Sequence, residues 1–245
     1  QMLGAHIPII VFDPTGVWRY LKRGAKKGQR GYPIVVAGGV EPDLQLTPST
    51  AAEIVRAAIK EEISLVIDLY DRKLSKSDWR RIVRDCFRTL MYENEGVRHI
   101  FLEEAAEFAP QRVQDGETYA EVEKVVRMGG NASLGITLIN QRSQEVNKAV
   151  LELCENLILM RQRGSHAIDA IEKWIDKLEP EYAKTIKGDL PNLATGRAFV
   201  FRGEGPPQAA TSNRLHTFHP DRRHPEAIKR AGKAPDVDKF VSRLG

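Results

Sequence analysis

The sequence predicts an α/β fold with a mainly parallel sheet flanked by helices. Three observations carry that expectation. Short apolar runs alternate along the chain with amphipathic helical patterns, the signature of right-handed βαβ units. One run, Ile100-Phe101-Leu102, ends abruptly in two adjacent carboxylates, Glu103 and Glu104. Acids are costly inside a sheet but at home on its carboxyl edge, where open α/β sheets bind ligands. Finally, turn-forming residues such as Asp13-Pro14-Thr15-Gly16 and Gly129-Gly130-Asn131 punctuate the runs.

In order, Ile7 to Phe12 reads as a strand closed by the Asp13–Gly16 turn, and Trp18, Tyr20 and Leu21 begin a short amphipathic helix. Lys22 to Arg30 is a basic loop, either a solvated connection or a contact for a phosphate backbone. Residues 33–37 form a second strand. Thr47-Pro48-Ser49-Thr50 caps a helix over 50–61, whose Ala51, Ile54, Val55, Ala58 and Ile59 keep helical spacing. Residues 64–69 form a third strand, and Ser75 or Ser77 caps a helix reaching Glu93. The carboxylate-ending strand follows, then a helix over 117–128, a strand over 135–140, a helix over 144–153 and a strand over 156–161 that completes the sheet. Helices over 165–178 and 180–187 and a last, edge strand over 197–201 close the domain. Residues 203–245, rich in Pro, Gly and basic residues, read as an extended arm with one short helix over 235–243.

The 245 residues suffice for one large α/β domain. The apolar share of 42% is ordinary, and no apolar run has the length to span a bilayer. Two cysteines far apart, Cys86 and Cys154, fit a reducing, cytoplasmic setting without a disulfide. A net charge of +4 permits a nucleic-acid partner without requiring one. His216 and His219 are close in sequence, but no second ligand pair accompanies them. Asp68 with Glu121-Val122-Glu123-Lys124 faintly suggests a metal nuclease, yet the last four lie in a helix pattern, where positions i and i+2 do not share a face.

Four segments resemble the HerA/FtsK branch of RecA-like P-loop motor ATPases, from about Ile7 to His219. Ile10 to Gly16 looks like the strand and turn after the first core helix. Ile100 to Pro110 looks like the Walker B strand. Leu134 to Ser143 looks like the strand that ends in a glutamine sensor, and Asn156 to Arg161 like the next core strand. The resemblance implies a RecA-like ATPase core over residues 1–202 followed by the arm over 203–245. It also implies ATP and Mg2+ as cofactors, double-stranded DNA as substrate, a homo-oligomeric ring, a hexamer, as the assembly, and a nuclease or other effector as a possible attachment. In that frame Glu103 is the magnesium acid and Glu104 orients the attacking water. Gln141 senses the γ-phosphate with Arg142 beside it, and Asp13 lies at the nucleotide edge. Arg127, Arg161 and Arg163 are candidates for the arginine that reaches a neighbour's nucleotide.

Two departures stand out. The acid pair is Glu-Glu where the family has Asp-Glu, and no G-x-x-x-x-G-K-[ST] occurs in the chain. The nearest match, Gly130 to Thr137, has Ile136 in place of the lysine and runs from helix to strand, the reverse of a phosphate loop. Either a strand, loop and helix precede Gln1, or the subunit has lost nucleotide binding and serves as a scaffold.

Overall fold

The computed structural model describes residues 2–26, 28–178, 180–202, 206–212 and 217–219. Its main sheet has five parallel strands: β1 (Ile9–Asp13), β2 (Val35–Gly38), β3 (Leu65–Asp68), β4 (Arg98–Leu102) and β5 (Leu134–Leu138), in the order β2-β3-β1-β4-β5. The register aligns the strand ends. Asp13 lies opposite Asp68, and Phe12 opposite Leu102.

The alternation of side chains across a strand divides the core in two. Ile10, Phe12, Leu65, Ile67, Ile100 and Leu102 face one side. There they pack against α1 (Ala51–Lys60), α2 (Lys76–Glu93) and α3 (Gly116–Met128). Ile9, Val11, Val36 and Val66 face the other side, covered by Leu3, Trp18, Leu21 and Tyr32. All five β1 residues are buried, as expected for the middle strand of a sheet covered on both faces.

Helix starts follow local chemistry. Ser75 makes a reciprocal capping box with Asp78 at the start of α2, and Asp115 accepts from the Glu117 and Thr118 amides at the start of α3. The expected cap on α1 is different: Thr50 occupies the N-cap position without a side-chain cap, and Thr47 backbone oxygen accepts from Thr50 and Ala51 instead. Trp18–Lys22 forms a 3₁₀ turn in place of the expected amphipathic helix, and the helix expected over 144–153 shrinks to a 3₁₀ turn and α4 (Lys148–Glu152).

The second correction is topological. β6 (Asn156–Leu159) does not extend the parallel sheet. It pairs antiparallel with β7 (Arg197–Arg202), which pairs antiparallel with β8 (Gln208–Thr211). β7 is therefore the middle of a separate three-stranded sheet, not an edge, and β8 lies within the stretch read as an arm. α5 (Ser165–Leu178) and α6 (Pro180–Asp189) pack on this sheet around Leu159, Ile171, Ile175, Ile186 and Phe201. Thr217 and Phe218 return to the first layer: Phe218 donates its amide to the Arg23 oxygen, and its ring sits edge-on to Tyr20 at 5.2 Å. The helix expected over 235–243, His216 and Lys27 of the basic loop lie outside the described residues.

Candidate functional site

Three neighbouring strands, β3, β1 and β4, deliver acids to one carboxyl edge: Asp68, Asp13 and the Glu103-Glu104 pair. Each has a different job, set by its surroundings.

Asp13 is fully buried and committed to the turn that follows β1. Its Oδ1 accepts from the Thr15 amide (2.8 Å), the Thr15 hydroxyl (2.6 Å) and the Gly16 amide (3.0 Å), and its Oδ2 from the Trp18 amide (2.8 Å). This turn places the Trp18 indole over Phe101, with Nε1 donating to Glu103 Oε2 at 3.0 Å. Asp13 thus acts on the acid pair through Trp18. That link joins residues 85 apart in sequence and has no local signal.

Glu103 is half-buried. Burial raises its pKa, and Asp13 and Glu104 push the same way against the Trp18 bond. Oε2 has the indole donor; no protein donor to Oε1 is found among the described residues. A carboxylate with one open oxygen, in a field of surplus negative charge, suits a hydrated divalent cation. Magnesium is commonly held by one or two carboxylates plus substrate phosphates. No group of three His, Cys, Asp or Glu among the described residues is arranged to hold a metal ion by itself, and such a site needs none.

Glu104 sits in the left-handed region at φ 50°, ψ 50° and begins the turn Ala105–Glu107. Non-glycine residues there carry strain, which concentrates at functional sites. Burial raises its pKa, aided by Glu107 and Glu145 and opposed by Arg142. The turn is stapled to the end of β5: the Ala105 amide donates to the Ile139 oxygen (3.0 Å) and the Ala106 amide to Asn140 Oδ1 (3.2 Å). Asn140 Nδ2 in turn donates to the Arg142 oxygen at 2.6 Å. The amide that couples the two strand ends is therefore Asn140. Gln141, one residue on, is exposed beside it. Two consecutive amides at a strand end were visible in the sequence, but which one faces β4 depends on the register.

The arginines separate. Arg127 is paired with Glu123 on its own helix at 2.5 Å, and Arg142 with Glu145 at 3.0 Å. Arg161 and Arg163 follow β6 and are exposed. Glu121 is engaged by Arg88 of α2 at 2.8 Å and by Lys124 at 3.4 Å, an ion-pair group on the α2–α3 surface that leaves Asp68 to other partners.

Asp68, which the sequence linked only faintly to a nuclease pattern, stands at this edge as a buried acid. It is fully buried, and its pKa is raised to about 6, first by desolvation and then by Asp13, against the opposing charge of Arg19. Oδ1 accepts from the Tyr70 amide at 3.0 Å. Oδ2 faces Arg19 Nη1 at 3.4 Å, an ion pair outside hydrogen-bond geometry, so that oxygen and Arg19 Nε are both left without a hydrogen bond. Gly39, at φ 76°, passes so close to this carboxylate that a Cβ there would collide with it.

No family model matches the sequence. Over 101 residues the chain is 28% identical to Probable helicase MJECL08 of Methanocaldococcus jannaschii, a match covering 41% of this chain and 18% of that protein. The chain thus corresponds to less than a fifth of that relative's length. Among solved structures, it resembles the genome packaging NTPase B204 of Sulfolobus turreted icosahedral virus 2 in complex with sulfate. That match has a TM-score of 0.53 and 13% identity over 88% of this chain and 86% of that one. B204 of Sulfolobus Turreted Icosahedral Virus, described as the DNA-packaging ATPase, matches with a TM-score of 0.53 and 14% identity over the same shares. The five-stranded parallel sheet and its flanking helices thus share the fold of these genome-packaging NTPases.

Proposed function

We propose that this chain is the ATP-hydrolysing core of a HerA/FtsK-type translocase that acts on double-stranded DNA as a homo-oligomeric ring. The observation that carries this reading is the pair Glu103 and Glu104. One is half-buried with an open oxygen; the other is held in a strained turn, stapled to the next strand end by Asn140. In a phosphoryl-transfer site a carboxylate holds hydrated magnesium, which neutralises charge on the β- and γ-phosphates. Glu103 fills that place, with Trp18 fixing its orientation. Glu104 orients the attacking water, and its raised pKa suits a group that takes part in proton movement. Gln141 is the γ-phosphate sensor in this reading, with Arg142 beside it; its exposure at the neighbouring strand end supports that role. Arg161 and Arg163 are better placed than Arg127 to reach a neighbouring subunit, because Arg127 is held by Glu123. The DNA-packaging role of B204 and the helicase description of the archaeal relative both support a DNA substrate.

The reading requires a phosphate-binding loop from outside these 245 residues. Among the described residues β5 is the end strand of its sheet; its free edge lies one strand beyond β4 and the acid pair, and a strand carrying such a loop would lie on it. The scaffold reading stands on the missing G-x-x-x-x-G-K-[ST] alone. Both are tested on a chain extended upstream of Gln1 through any such loop. Wild-type protein should hydrolyse ATP with magnesium and be stimulated by duplex DNA. Glu104→Gln should bind ATP yet lose about a hundredfold or more in turnover, because the amide keeps the shape but not the charge. Full turnover in Glu104→Gln would remove its assigned role; no ATP binding by the extended wild type would favour the scaffold.

A further inference from the structure

We infer that the loop joining β3 to α2, Leu69–Leu74, is a contact for the phosphate backbone of duplex DNA, made by Arg72 and Lys73 with Tyr70 beside them. The inference rests on the DNA-motor reading and adds to it the surface that meets the substrate.

The cations of this region fall into two groups. Most are neutralised within the chain. Lys22 pairs with Asp43 at 2.6 Å, Arg23 with Glu41 at 3.1 Å, Lys76 with Glu107 at 2.6 Å and Arg142 with Glu145 at 3.0 Å. Arg72 and Lys73 are both exposed, and neither side chain has an ion pair or hydrogen bond among the described residues; Lys26 and Arg30 of the basic loop share that state, but of these four only Arg72 and Lys73 are adjacent in sequence. The nearby carboxylates are otherwise occupied. Asp71 Oδ1 accepts from the Lys73 amide at 2.9 Å, and Asp68 is buried and faces Arg19. With Asp71 the loop keeps a net charge of +1, and its two adjacent cations, neither paired with a carboxylate, attract an anionic partner; a nucleic-acid backbone supplies regularly spaced anions.

The loop is also built to hold its shape. Tyr70 is fixed at its amide by Asp68, Lys73 by Asp71, and the Leu74 amide donates to the Asp71 oxygen at 3.1 Å. The Ser75 capping box begins α2 directly afterwards. Tyr70 is 56% exposed although its Cβ lies against Gly16, so an aromatic ring with a hydroxyl donor stands at the surface next to the two cations. Such a ring packs on a sugar or donates to a phosphate, contacts that position a duplex without reading its sequence. The loop lies two strands from β4 on the same sheet edge, which separates the DNA contact from the acid pair while joining both to one rigid sheet.

The test is fluorescence anisotropy of the 245-residue chain with labelled duplex DNA of mixed sequence, at a series of salt concentrations. Each phosphate contact contributes about 0.9 to the slope of log affinity against log salt. Arg72→Ala with Lys73→Ala should reduce that slope by about 1.8. Tyr70→Ala should weaken binding at every salt concentration with the slope unchanged. A control that removes two exposed charges elsewhere, Lys60→Ala with Lys184→Ala, should leave the slope as it is. If wild type binds duplex and the loop variant keeps its slope, or if the control falls as far, the loop assignment is overturned while the DNA reading stands. A loop variant that changes the sedimentation profile but not the slope makes the loop a subunit contact and also overturns it. A wild type that binds no duplex overturns the DNA reading and this inference with it.

Discussion

Glu104 and Asp68 show how much a single residue at this edge costs the fold. Glu104 holds a left-handed backbone that a side chain with a Cβ adopts at a cost of about 1–2 kcal/mol. Its carboxylate is also pressed by Glu107 and Glu145. Neither feature helps folding, so Glu104→Gly should stabilise the chain by about 1 kcal/mol, read as a higher Tm, whatever it does to catalysis. A clear loss of stability would show that the side chain has a structural role instead. Asp68 makes a pH-dependent version of the same argument. Its pKa rises from 3.8 to about 6 on folding, so the folded protein holds an extra proton between those values, and stability falls as pH rises through them. The shift corresponds to up to about 3 kcal/mol. Asp68→Asn keeps an oxygen to accept from the Tyr70 amide but removes the charge. Relative to wild type, its Tm should therefore improve from pH 4 towards pH 7, and a difference that stays flat across that range would mean that Arg19 fully compensates the buried charge. The paired acids were legible in the sequence because they interrupt an apolar run. The states of Asp68 and Asp13 were not, since both depend on which strands are neighbours.

At the level of elements, the strands and long helices were legible because period-2 runs, helical spacing and caps are local properties. Ser75 and the Asp13–Gly16 turn do what such residues do elsewhere. Strand order is not local, and β6 illustrates the consequence: its residues read as one more core strand, yet it pairs antiparallel with β7. Gln208-Ala209-Ala210-Thr211 carries too little apolar character to announce β8 at all. Arg98 is a further case. It is the first residue of β4 and 1% exposed, a burial that no local pattern around a basic residue announces. Its guanidinium is satisfied by the Ile63, Ala58 and Ile59 carbonyls at the end of α1 (3.2, 3.4 and 3.4 Å) and by Asn94 Oδ1 at 3.1 Å. A cation at a helix C-terminus meets the negative end of the dipole. Arg98→Met keeps the apolar stem and strands those acceptors, which should lower stability by about 2–4 kcal/mol in a denaturant melt. A change below about 0.5 kcal/mol would mean that water replaces the guanidinium there.

Across the whole molecule, the sequence separated a core from an arm at residue 203, and the described residues join the two. β8 completes the sheet begun by β6 and β7, and Phe218 reaches back to Tyr20, whose ring also lies within 5.6 Å of Arg19 and 5.3 Å of Arg23. Residues near 217 therefore brace the 3₁₀ turn that begins at Trp18, and Trp18 positions Glu103. Two truncations distinguish a brace from a passive terminus. Ending the chain after His219 keeps β8 and the Phe218 contact; ending it after Arg202 removes both. The shorter chain loses the β7–β8 ladder and an aromatic pair worth about 0.5–1.5 kcal/mol beyond its buried area. Its Tm should fall several degrees below that of the chain ending at His219, and the tryptophan emission should shift as the turn loosens. Equal melting temperatures and identical emission for the two truncations would show that the first layer holds its acid-bearing edge without help from the chain beyond β7.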